Sequence, residues 1–180
     1  MTPSSMLLFT VLLSAWLLVL CVQDWRWRRL PNWLTLGGAA AGLVWRLGMG
    51  KGAFVDGVAG GLLCAALLAI PFLLHAAGGG DVKMLFAVGC IFGSGHAMEL
   101  LLCISVAGLV LAPAMILAGK ASGGRLKHWL RCAFDWRYDR AAGRAALPPR
   151  DDERYRVPFG IAIAVGTWAT LGFFVWGGLG

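Results

Sequence analysis

Two aspartates stand where carboxyl groups are least expected. Asp81 follows three glycines in Gly78-Gly79-Gly80-Asp81-Val82-Lys83, and Asp24 closes the long apolar run that begins at Met6. An ionisable group at the edge of a lipid-soluble segment is costly and rare, so each marks a functional site. Two carboxyl groups sharing a water can hydrolyse a peptide bond. One, ionised, takes the water's proton; the other, protonated, polarises the scissile carbonyl. At about 3 Å separation the two cannot both ionise easily, and they titrate as a unit. A third aspartate, Asp56, lies near the start of another apolar run.

The residues around Asp81 admit a chemical and a plainer reading. Gly78, Gly79 and Gly80, lacking Cβ atoms, can take positive φ and let an extended substrate backbone approach the acid. Asp81 would then sit at a helix N-terminus, where free N–H groups and the dipole favour its ionised form. That makes Asp81 the base and Asp24 the acid, with one proton shared between them. On the plainer reading, glycines before an aspartate simply start a helix. The run lacks the Gly-Lys-Ser/Thr of a phosphate loop. Asp24 could equally be a surface partner of Arg28, four residues on.

The elements that must position these acids are membrane helices. Of 180 residues, 59% are apolar and 14% charged, which is the composition of a membrane protein. With about 20 residues needed per span, the length allows several spans and one domain, 1–180. We read an all-α, polytopic fold with six transmembrane helices, at about 6–23, 33–49, 53–77, 82–97, 98–118 and 157–179. Met6 to Val22 has no Lys or Arg before it and no A-x-A site after it, so it is expected to be a span and not a cleaved leader. Trp25-Arg26-Trp27-Arg28-Arg29 has the tryptophans and arginines of a membrane surface. Pro31 forces Leu30 out of helical geometry, and Asn32 is placed to cap the next helix.

Charge orients the six spans, because Lys and Arg in short loops stay on the cytoplasmic side. With both termini outside, the cytoplasmic side holds Arg26, Arg28, Arg29, Lys83 and ten basic residues of the loop 120–156. The outer side keeps Arg46 and Lys51. This distribution of fourteen to two puts Asp24 and Asp81 on the cytoplasmic face and Asp56 on the other. In the loop, Leu126, Trp129, Leu130 and Phe134 recur at helical spacing among cations, the pattern of a helix lying in the headgroup plane. The net charge of +7 is thereby assigned to anionic lipid headgroups and not to nucleic acid. Lys83 is read as a headgroup contact or a support of the glycine loop.

Other chemistries fit less well. The five cysteines have no metal-ligand spacing and no disulfide framework. Ser94 and His96 are two residues apart, which does not bring their side chains together on a helix. His96 and Glu99 do not form H-E-x-x-H. No metal and no cofactor are expected. A six-span transporter or channel is the alternative from a different class, supported by glycine pairs at helix-packing spacing, Gly38/Gly42, Gly57/Gly61 and Gly89/Gly93. Those pairs serve equally as plain packing, and a transporter would place its charges at mid-membrane.

Three segments carry a family resemblance. Asp24 followed by Leu30-Pro31-Asn32, then Gly78-Gly79-Gly80-Asp81-Val82-Lys83, then Val157-Pro158-Phe159-Gly160-Ile161-Ala162 resemble in order and spacing the type IV prepilin peptidases. These are membrane aspartic proteases of the GxGD class. The resemblance implies an aspartic endopeptidase of the bacterial inner membrane, cutting the leader from a pilin precursor at the cytoplasmic face. It implies Asp24 and Asp81 as the catalytic pair. Gly78, Gly79, Gly80, Lys83, Pro31, Asn32, Pro158, Phe159 and Gly160 would bind substrate or support the loops. Many members carry a four-cysteine zinc motif and an extra N-terminal cytoplasmic segment that accompany methylation. This sequence has neither and looks like the short form associated with Flp or tight-adherence pili.

Overall fold

A computed structural model describes residues 3–73, 77–118 and 158–177, all of whose regular elements are helical. They are α1 (Pro3–Trp27), α2 (Asn32–Gly48), α3 (Lys51–Leu73), α4 (Gly79–Phe92), a 3₁₀ turn (Ser94–His96), α5 (Ala97–Leu117) and α6 (Phe159–Gly177). The loop 120–156 and its expected interfacial helix lie outside the described residues.

Short connections make successive helices run in alternate directions. The end of α1 and of α3 therefore lies with the start of α2 and α4, where the start of α6 joins them through Gly160 on Asp24; the opposite end holds the close of α2 and the starts of α3 and α5. α4 packs against α3 and α2, while α6 packs against α5 and α1 and also touches α4. The core between these groups is built from Leu13, Leu17, Leu20, Leu68, Met84, Leu85, Val88, Leu100, Ile104 and Ile163.

Glycine sets how closely α3 and α4 approach. A methyl group at Gly60 would stand 2.6 Å from the Gly89 carbonyl oxygen, and one at Gly89 would stand 2.8 Å from Cys64 Cβ. Gly42 similarly lets α2 lie on Ile91 of α4, and Gly38 lies beneath the Trp16 ring. The paired glycines of the sequence thus serve helix contact, as small residues do where lipid supplies no hydrophobic drive between helices. Trp16 adds a hydrogen bond from its indole Nε1 to the Leu34 carbonyl, 3.0 Å. Thr167 and Thr170 satisfy their buried hydroxyls by donating to the carbonyls of Ile163 and Gly166 one turn back, as an apolar setting requires.

Three segments, Ser4–Trp27, Lys51–Ala69 and Ser94–Leu117, are long and apolar enough to cross a membrane. Their outward faces carry large exposed apolar side chains such as Leu7, Leu62, Leu109 and Val110, as lipid-facing surfaces do. The remaining helices are shorter. α4, with 14 residues, extends roughly 21 Å, against about 30 Å of hydrocarbon.

Local differences from the sequence reading have simple causes. α1 runs on through Asp24 to Trp27, and Arg28 ends it with φ 52°. Asn32 does not cap α2. Pro31 occupies the cap in extended geometry, because its fixed φ suits that place, and Asn32 becomes the first helical residue. α4 starts at Gly79 instead of Val82, so Gly79 and Gly80 are helical and Gly78 is extended at φ −79°. Positive φ is found among described glycines at Gly50 and Gly93, not at Gly78, Gly79 or Gly80. In the Asp81 segment the missing side chains make room for neighbours: methyl groups at Gly79 and Gly80 would stand 3.3 Å from the Phe72 ring and 3.0 Å from Leu30 Cβ.

Candidate active site

Helical periodicity carries each aspartate inward. In α1 the buried residues Leu13, Leu17, Leu20 and Asp24 recur at steps of four, three and four, one continuous face of a helix. Asp24 is the last member of that stripe and is only 5% exposed. In α4, Asp81 precedes Leu85 and Val88 at the same steps. It heads the stripe that packs into the core.

Asp81 sits in the first turn of α4, three residues past the cap Gly78. Its backbone N–H donates to the Gly78 carbonyl, 3.1 Å, and its Oδ2 accepts from the Gly78 N–H, 3.2 Å. A carboxylate there occupies the favourable end of the helix dipole. The plainer reading of the glycine run as a helix start is therefore correct as geometry, and it coexists with a half-buried carboxyl group.

Asp24 is covered by the start of α6. A methyl group at Gly160 would stand 2.7 Å from Asp24 Oδ2 and 3.1 Å from its Cγ. The backbone N–H groups of Gly160 and Ile161 lie beside the carboxylate, and Arg28 is within electrostatic reach. Asp24 Oδ2 has no hydrogen-bond partner among the described residues. An orphaned, buried carboxylate oxygen is expensive in a structural role. Pro158 is fully buried and turns the chain into α6, its carbonyl accepting from the Ile161 N–H at 3.2 Å. Phe159 lies against Gly108 of α5.

The segment after α1 joins the two aspartate regions. Leu30 rests on Gly80, and Lys83 Nζ donates to Asn32 Oδ1 at 2.7 Å. Asp24, Pro31, Asn32, Gly78, Gly79, Gly80, Asp81, Lys83, Pro158, Phe159 and Gly160 consequently occupy one end of the bundle. Asp56 lies at the opposite end. Its carboxylate pairs with Arg46 and accepts from the Ser94 hydroxyl and, at 3.0 Å, from the Ser94 N–H. Arg46 also donates to the carbonyls of Ala53, 2.7 Å, and Ile91, 3.1 Å. Both charges are committed to tying α2, α3 and the 3₁₀ turn together. Sequence reading missed this clamp, because nothing local links position 46 with 56 and 94. A cleft of about 450 Å³ lined by His96, Glu99, Cys103 and Thr170 also lies at that end, away from Asp24 and Asp81.

Comparison with known proteins bears on what such an end can do. The model of the type IV leader peptidase family matches residues 11–113. The chain belongs to that family. Neither a curated protein nor a solved structure matches it. The family match spans Asp24, the Leu30–Asn32 turn and the Gly78–Lys83 segment, and stops before α6. Membership makes the protein a peptidase with a type IV leader peptidase-like function. Together with its membrane-compatible helices, it identifies a membrane protein.

Proposed function

We propose that this leader peptidase is an aspartic endopeptidase of the bacterial inner membrane. It removes the leader of Flp-like pilin precursors at the cytoplasmic face, using Asp24 and Asp81. The observation that carries the reading is the buried Asp24 carboxyl group, whose Oδ2 has no hydrogen-bond partner among the described residues, at the same end of the bundle as Asp81, each closing the inner stripe of its helix. In this reading the chain crosses the membrane six times with both termini outside, an orientation supported by the distribution of basic residues, and the basic loop 120–156 meets anionic headgroups.

The chemistry follows from environment. Asp81, at the start of a helix with an N–H donated to its carboxylate, acts as the base that takes a proton from water. Asp24, shielded beneath Gly160, holds the proton and hydrogen-bonds the scissile carbonyl. Water attacks the carbonyl carbon, giving a tetrahedral diol. Its collapse breaks the C–N bond, and a carboxyl proton passes to the leaving amine. Water and two carboxyl groups suffice for these steps. The segment Leu30–Asn32, the first turn of α4 and the Pro158–Gly160 turn support the acids. Methyl transfer is not assigned to this chain.

The test is co-expression with a Flp-type prepilin, following its mobility shift on processing. Asp24→Asn and Asp81→Asn are expected to abolish processing. Asp56→Asn is expected to retain it, with a stability loss of roughly 1 kcal/mol from the partly exposed clamp. Normal processing by Asp81→Asn would overturn the assignment.

A further inference from the structure

α1 and α4 carry the two aspartates yet pack chiefly on other helices, α1 on α6, and α4 on α3 and α2. The placement of one acid relative to the other therefore depends on what links the end of α1 to the start of α4. α6 bridges them from one side, packing on α1 over Asp24 and touching α4; on the other side, besides the Leu30–Gly80 contact, the link is the hydrogen bond from Lys83 to Asn32, 2.7 Å.

That bond lies in register with the α2–α4 seam. The inner face of α2 is formed by Thr35, Ala39 and Gly42, and Asn32 precedes Thr35 by three residues on the same face. On α4, Ala87 and Cys90 pack with Ala39, and Lys83 precedes Ala87 by four. Lys83 and Asn32 are thus the last pair of the seam, as Asp81 is the head of the neighbouring core stripe. A lysine is otherwise a poor choice there. Near the start of a helix its charge opposes the dipole, and at two residues' spacing it faces away from Asp81. Being exposed, the bond adds little to global stability.

We propose that Lys83 and Asn32 form a clasp that holds the Leu30–Asn32 segment, and with it the end of α1, in register with Asp81. Both are positioning residues for the aspartate pair, an inference that rests on the peptidase reading above. Displacing a reacting group by about 1 Å can cost on the order of a hundredfold in rate. A clasp of this kind should therefore act on turnover and leave substrate affinity alone.

The experiment measures prepilin processing by the full chain in lipid nanodiscs. Lys83→Met and Asn32→Leu are each expected to lower kcat roughly tenfold, with KM and melting temperature unchanged, and the double variant to lose no more than either single one. Lys83→Arg is expected to restore most of the rate. Multiplying losses in the double variant would overturn the clasp. So would a silent Asn32→Leu combined with a Lys83 effect that tracks the anionic lipid content, since Lys83 would then act on a headgroup. A second readout needs no catalysis. On a background lacking the five native cysteines, disulfide formation between Leu30→Cys and Gly80→Cys should slow several-fold when Lys83→Met or Asn32→Leu is added, and an unchanged rate would overturn the clasp. If Asp81→Asn processes normally while the cross-linking rate still depends on Lys83 and Asn32, the aspartate assignment falls and the clasp stands.

Discussion

At the scale of single residues, Gly160 matters for what it lacks. The first turn of α6 can lie on Asp24 because no Cβ intervenes, and a methyl group there would press within 2.7 Å of the carboxylate. Gly160→Ala adds helix propensity worth about 1 kcal/mol, which opposes the steric cost. Melting temperature is therefore expected to change little, while prepilin processing falls at least tenfold through a displaced carboxyl group. Gly172, on the same helix, has nothing within 4 Å of its added methyl, and Gly172→Ala should process normally. Wild-type kinetics from Gly160→Ala would show that the α6 contact does not position Asp24. The sequence marked Asp24 and Asp81 as expensive acids. It could not show that Asp24 is buried or that Gly160 covers it, because that contact joins residues 136 positions apart.

At the scale of elements, the α3–α4 seam illustrates how glycine can be read correctly by type and wrongly by mechanism. The expected backbone freedom at Gly78, Gly79 and Gly80 is unused, since the helix starts one residue after the first of them. The smallness of Gly79 and Gly80 is used instead, against Phe72 and Leu30. The glycines of the seam itself bring two backbones together, and at Gly60 and Gly89 the obstacle to a side chain is partly the opposing main chain, which cannot rotate away. Gly60→Ala and Gly89→Ala are each expected to lower stability by about 1–3 kcal/mol through overpacking. Gly37→Ala, where nothing lies within 4 Å, should be neutral or stabilising by up to about 1 kcal/mol. Thermal unfolding in one detergent, applied to all three variants, checks the contrast. Equal effects at the three positions would mean that close approach is not what the seam glycines provide.

At the scale of the whole molecule, the proposed orientation rests on the distribution of basic residues. Arg29 and Lys51 lie at opposite ends of α2 and belong to the two sides of the proposed topology. In cells expressing a cysteine-free background, Lys51→Cys is expected to react with a membrane-impermeant maleimide added outside. Arg29→Cys should react only after the membrane is opened. Reversed labelling would invert the orientation and move the aspartates to the outer face. Composition and charge, properties summed over long stretches of chain, made the all-helical, membrane-compatible architecture readable from sequence, together with the grouping of Asp24 and Asp81 at one end of the bundle and Asp56 at the other. The three short motifs further pointed to the leader peptidases. What the sequence left undetermined was which face of each nearly uniform apolar helix turns inward, because a helix that is apolar all round carries no directional signal. Only tertiary packing decided that Asp24 is buried under α6, that Asp56 is committed to Arg46 and Ser94, and that Lys83 reaches Asn32. Each depends on contacts between distant residues that no local pattern encodes.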